Sequence, residues 1–233
     1  NGRLYRSSFL LLSLPLLIAA FSVQRPTPLQ RPVLPPAFDA STARRLADEL
    51  ATQQPDRTPG SAGAFQAAQW FREQLRPYGL PTRSDVWRET IPGLGKVRLE
   101  NQTAVVQGQS PDVIVVMAHR DDTGAGPGAN DNATGTAALI ELARAFARPS
   151  TPAEGGVQTT HTLVFLSTDA GAFGGLGALR FAERSAFRDR VVAVVNLDAL
   201  AGRGPPRVEI TGDLPRSPTP VLPQTAARRL LEQ

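Results

Sequence analysis

Four short stretches of this chain gather the residue types that hold divalent metals. His119 and Asp121 follow the apolar run 113–117, and Asp131 sits between two asparagines just after Gly128. Asp169 follows the run 163–166, and Asp198 follows the run 191–195. A neutral imidazole and two carboxylates can bind zinc and leave one position open for water. His119, Asp131 and Asp198 supply that set. Asp121, two residues past His119, is placed to hydrogen-bond the other ring nitrogen, as carboxylates behind metal-bound histidines do. Taken singly, each residue also has an ordinary reading: Asp131 can cap the helix after it, and Asp198 can sit in a turn. Their shared position, at the ends of apolar runs, is what points to a site.

Such side chains meet only if the runs are neighbouring strands whose carboxyl ends share one edge of a sheet. Open α/β sheets bind their ligands at that edge. The runs 113–117, 163–166 and 191–195 are continuously apolar, as expected of parallel strands buried on both faces. β-rich stretches at 85–91 and 97–107 precede them, and a short strand is predicted at 208–210. Helical spacing runs through Leu46 and Leu50 after a capping Asp39 or Ser41, and through Phe65, Trp70, Phe71 and Leu75 between Ser61 and Gly79. Further helices are predicted over 136–146, 176–183 and 225–231. Strands alternating with helices predict an α/β domain, a mostly parallel twisted sheet with helices on both faces. His161 begins its strand, at the opposite edge from the cluster, and reads as structural.

Composition narrows the functional classes. The chain has 233 residues and no cysteine, so disulfides, thiolate metal sites and a cysteine nucleophile are excluded. Arg3, Arg6, Arg25 and Arg31 precede the first acidic residue, Asp39, and account for the net charge of +4; the remainder holds 21 basic against 21 acidic residues. A domain without a basic surplus is not built to bind nucleic acid. Arg3 and Arg6 also flank an apolar run, 9–23, broken only by Ser13, Pro15 and Ser22. A positive flank before such a run predicts a signal peptide or membrane anchor over 1–24, with the remainder of the chain exported. Residues 25–37, with five prolines, read as a stiff spacer. The globular domain is then expected over 38–233.

The candidate ligands lie within a longer likeness. Val115-Val116-Met117-Ala118-His119-Arg120-Asp121, then Gly126-Pro127-Gly128-Ala129-Asn130-Asp131-Asn132-Ala133-Thr134-Gly135, then Glu141-Leu142-Ala143-Arg144 resemble the metal-binding core of the dizinc aminopeptidases, peptidase family M28. Arg57-Thr58-Pro59-Gly60-Ser61 upstream is similar to another family segment. Thr168-Asp169-Ala170-Gly171-Ala172-Phe173-Gly174-Gly175-Leu176-Gly177 and Val195-Asn196-Leu197-Asp198 continue the match in order, so the resemblance spans residues 38–210. It implies the zinc-dependent exopeptidase fold, a three-layer α/β sandwich of the phosphorylase/hydrolase kind. It also implies that His119 and Asp198 hold one zinc, that Asp131 bridges to a second, and that Asp121 orients His119.

The departures from the family pattern matter more for function. The family carries two consecutive glutamates after Asp-Ala, a general base and a ligand of the second zinc. Here those positions are Gly171 and Ala172, which neither accept a proton nor bind a metal. The family's last ligand is a histidine well downstream of Asp198, and this chain has none after His161, which fits a domain cut short at Gln233. Asp169 is the nearby carboxylate left as a substitute base. These departures predict one zinc at most. They predict an aminopeptidase-like domain, exported and tethered to the membrane, that is weakly active or inactive and binds a peptide or protein ligand. The competing reading is an active zinc-dependent exopeptidase that removes N-terminal residues from peptides. Fold does not imply function, so the site must decide between them.

Overall fold

The computed structural model describes residues 38–147 and 159–201, together with Ser13. The predicted anchor (Ser13 apart), the spacer, the strand at 208–210 and the helix at 225–231 lie outside the described residues. Among the described residues, no helix is long and apolar enough to cross a membrane.

Two capped helices come first. The Asp39 carboxylate accepts the amide N–H of Ser41 at 2.9 Å and opens α1 (Ala40–Gln53), which buries Leu46 and Leu50. Ser61 accepts the amide N–H of Ala64 at 3.0 Å and opens α2 (Ala62–Leu75), which buries Trp70, Phe71 and Leu75. Side-chain acceptors of this kind satisfy amides that have no partner within the helix. The chain leaves α2 through a short 3-10 turn, Arg76–Tyr78, and Gly79 takes the left-handed exit at φ 68°. Glycine adopts that conformation without steric cost.

Five strands then build one sheet: β1 (Thr82–Ile91), β2 (Gly95–Val106), β3 (Ser110–His119), β4 (His161–Thr168) and β5 (Val191–Asn196). Helix α3 (Thr134–Ala147) follows β3, and α4 (Leu176–Arg184) follows β4. The strand order is β1-β2-β4-β3-β5. β3 pairs in parallel with β4 and β5, whereas β2 is antiparallel to both β1 and β4. The sheet is therefore mixed: four strands share one direction, and β2 alone opposes them.

Helices cover both faces, as the strand–helix alternation predicts. β4 is buried along nearly its whole length, and its side chains divide by alternation. Leu163 and Phe165 pack with Leu46, Phe71 and Leu139 of α1, α2 and α3. Val164 and Leu166 pack on the other face, where Phe181 of α4 lies. Each such side chain contributes about 1.5–3 kcal/mol by leaving water. The strand at 191–195 departs from expectation. Its apolar run predicts burial, but among the described residues Val192, Val194 and Val195 are exposed, because β5 is the edge strand and pairs only with β3 there.

Candidate metal centre

The parallel pairing of β3 with β5 brings two of the candidate ligands to one edge. Met117 lies opposite Asn196, and the Leu197 amide N–H extends the ladder by donating to the Met117 carbonyl at 2.8 Å. His119 and Asp198 thus leave adjacent strands at nearly the same level. Asp131 arrives from a turn, Ala129–Ala133, at the head of α3. His119 Nε2 lies 3.0 Å from Asp131 Oδ1 and 3.6 Å from Asp198 Oδ1. The three donor atoms all lie within 4.8 Å of one another, a gathering not repeated among the described residues. A single divalent cation fits this set in donor chemistry: one imidazole nitrogen and two carboxylate oxygens.

Asp121 stands behind the imidazole. Its Oδ1 is 3.3 Å from His119 Nδ1, and its own carbonyl oxygen is 3.2 Å from the same nitrogen. A proton held on Nδ1 by these acceptors leaves the Nε2 lone pair facing Asp131 and Asp198. The Asp121 carboxylate is fixed in turn by backbone. It accepts the amide N–H of Gly171 at 2.7 Å and of Ala172 at 3.0 Å. Ala170, buried and left-handed at φ 55°, turns the chain so that these successive amides face one anion.

Burial disfavours a charged His119, but the hydrogen bond and charge of Asp121, joined by Asp198 and Asp131, overcome it and raise the imidazole pKa to about 9. Without a metal, the proton takes the cation's place among three carboxylates.

Positions 171 and 172 form the wall beside the imidazole. The pocket has a volume of about 380 Å³, and Met117, Thr168, Gly171, Ala172 and Ala178 line it beside the three ligands. A Cβ at position 171 would lie 2.2 Å from His119 Cβ and 2.4 Å from its Cγ. His119 occupies the space in which any side chain at 171 would begin. The glycine is thus a packing requirement of this site.

Asp169, read from the sequence as a substitute base, is not among the residues that line the pocket. Its carboxylate accepts the amide N–H of Glu100 at 3.0 Å and of Ala170 at 2.9 Å, and faces Arg120 Nη2 at 3.6 Å. Burial pushes its pKa up, and Arg120 opposes the shift. It borders a separate recess with Ser61, Phe65 and Arg98. His161, at the far end of β4, stays away from the site, as expected.

Two supports of the site escape a reading of residue types. Arg57 is fully buried beneath the loop that joins β3 to α3. It donates to the carbonyls of Arg120 at 2.8 Å, Pro127 at 3.0 Å and Gly128 at 3.0 Å, and pairs with Asp122 at 3.5 Å. Its place in the Arg57–Ser61 segment marks it in the sequence, but nothing there shows what it holds. The second support is formed by Asn130, Asn132 and Thr134, which the 126–135 segment marks in the sequence without showing what they hold.

A mixed α/β sheet with an imidazole and two carboxylates gathered at its carboxyl edge defines an α/β domain with a candidate metal centre. Comparison with known proteins gives the family: peptidase family M28 matches residues 101–228, more than half of the chain, and the chain belongs to it. Transferrin receptor protein 2 of Rattus norvegicus is 37% identical over 103 residues, which are 43% of this chain and 12% of that protein. This chain therefore spans a small part of that relative's length. A solved Zn-dependent exopeptidase from Parabacteroides distasonis shares the fold with a TM-score of 0.61 at 18% identity, covering 72% of this chain and 64% of that one. A solved glutaminyl cyclase from Porphyromonas gingivalis shares it with a TM-score of 0.62 at 19% identity, covering 72% and 61%. Three similar proteins carry three different names, so the fold alone does not select an activity.

Proposed function

We propose that this M28-family domain binds one divalent cation, zinc by family, through His119, Asp131 and Asp198, and serves to bind a peptide or protein ligand with weak or no aminopeptidase activity. The observation that carries this reading is the wall at 171–172. Both amides there are committed to Asp121, and the space above Gly171 is filled by His119. A bound zinc would supply Lewis acidity and a more acidic water. The chain's own residues do the rest: Asp121 keeps the Nε2 lone pair turned to the pocket, and Asp131 and Asp198 present oxygens to the same point. Among the described residues, no carboxylate stands beside the pocket free of the ligand set to move a proton. Asp169, the nearest candidate by sequence, is held elsewhere. Arg3, Arg6 and the apolar run 9–23 support export and membrane tethering of the domain.

The test is hydrolysis of aminoacyl p-nitroanilides by the zinc-loaded chain, beside an M28 enzyme that carries the glutamate pair. A positioned base contributes about 10²–10⁴-fold. The expected kcat/KM is at least about 100-fold below that of the comparison enzyme. Comparable turnover would overturn the reading and make the chain an active exopeptidase.

A further inference from the structure

Asp131 and Asp198 are held quite differently from His119. The imidazole is buried and braced by Asp121, whereas the Asp131 and Asp198 side chains are 60% and 48% exposed. Neither short loop that carries them is rigid by composition. A set of hydrogen bonds joins the two loops directly. Asn132 Nδ2 donates to the Leu197 carbonyl at 2.9 Å, and Asn132 Oδ1 accepts the amide N–H of Ala199 at 3.2 Å. The residue next to one ligand thus bonds both backbone neighbours of the other. Thr134 Oγ1 accepts the amide N–H of Leu200 at 3.0 Å, and Asn130 Oδ1 accepts that of Ala201 at 2.9 Å.

The Asn132 side chain is itself locked. It is fully buried, and its Oδ1 also accepts the amide N–H of Gly135 at 3.0 Å. A Cβ at Gly135 would lie 2.3 Å from Asn132 Oδ1 and 2.4 Å from the Leu197 carbonyl oxygen. The first turn of α3 is therefore shaped to admit this amide and the strand-end carbonyl together. Ala199, left-handed at φ 48°, turns the chain just after Asp198 so that its amide reaches back.

We propose that Asn132 is a positioning residue of the metal centre: it clasps the Asp198 loop to the head of α3 and sets the spacing of the two carboxylates before any cation arrives. The inference rests on the one-metal reading above. A preset spacing spares the cation the cost of ordering two loops, so loss of the clasp appears in metal affinity. Loss of a partner just outside the ligand set costs about 10–100-fold in metal affinity.

The experiment measures zinc affinity by competition with a chromophoric chelator, and the visible absorption of the cobalt form, for wild type, Asn132→Ala and Thr134→Val. Thermal unfolding in chelator reports the fold separately. The expected result is a loss of about 10–100-fold for Asn132→Ala and a smaller loss for Thr134→Val, each with an altered cobalt spectrum. If Asn132→Ala fails to fold, Thr134→Val decides alone, since it removes one clasp bond and leaves the buried amide in place. Folded variants that bind zinc within about twofold of wild type, with an unchanged cobalt spectrum, would overturn the clasp, because the loss of a true supporting partner begins near about tenfold. Absence of zinc binding by wild type would instead overturn the one-metal reading on which the clasp rests.

Discussion

The ligand set and the 171–172 segment beside it are built to different ends. Every ligand has a support: Asp121 behind the imidazole, the amides of 171 and 172 behind Asp121, and Asn132 between the loops of Asp131 and Asp198. Gly171 and Ala172, beside the imidazole, contribute no side-chain ligand, and their amides are turned to Asp121. The same two residues thus support the ligand set through their amides and offer no side-chain ligand themselves. This support runs through backbone amides, so it requires no ionisable side chain at 171 or 172.

Substitutions in both regions sharpen this contrast. The largest effect is expected for His119→Ala, which removes the only nitrogen donor: calorimetric titration should show zinc affinity falling beyond the ~10–100-fold typical of outer partners. Asp121→Asn should fall within that ~10–100-fold range, because its amide side chain no longer offers two charged oxygens to the backbone nest. Gly171→Ala should destabilise the metal-free fold by about 1–3 kcal/mol in denaturant titration, the usual range for overpacking. A fully stable variant would show that His119 can give way. Position 171 could then be refitted with glutamate.

The pH dependence rests on His119. Burial pulls its pKa down, but Asp121, Asp198 and Asp131 outweigh burial and raise it from 6.5 to about 9. A group whose folded pKa is raised contributes stability below its unfolded pKa and loses it as pH rises through the folded value. The melting temperature of chelator-treated protein should therefore fall between pH 6.5 and about 9. The zinc-loaded protein should not share that fall, since the cation replaces the proton. A flat profile for the metal-free protein would contradict the three-carboxylate cage. The smallest effect is expected from Ala172→Glu. Ala172 is exposed at the pocket, so a carboxylate fits there, but with one added ligand it should raise zinc uptake only slightly in elemental analysis.

Much of the fold was legible because its signals are local. Asp39 and Ser61 cap the helices that their residue types predict, and Gly79 ends its helix. The run 163–166 is a buried central strand, as continuous apolar character implies. The reversal of β2 was not legible, since periodicity carries no strand direction, nor was the exposure of Val192, Val194 and Val195, which depends on edge position. At the site, the meeting of His119, Asp131 and Asp198 was readable from two strand ends and the loop that opens α3. Asp169 has the residue type of a base, but its side chain turns to Arg120 and the Glu100 amide, a choice made by neighbours distant in the chain. The clasp by Asn132 was hidden for a similar reason: its partners are backbone groups, which leave no residue-type pattern.

The central claim, that one half of the metal centre survives and the other is gone, is tested most directly by metal stoichiometry. The purified chain would be equilibrated with excess zinc, freed of loosely held metal and measured by elemental analysis beside His119→Ala. The account predicts one zinc per chain in wild type and none in the variant. Two zinc ions per wild-type chain, or one that persists in His119→Ala, would contradict it.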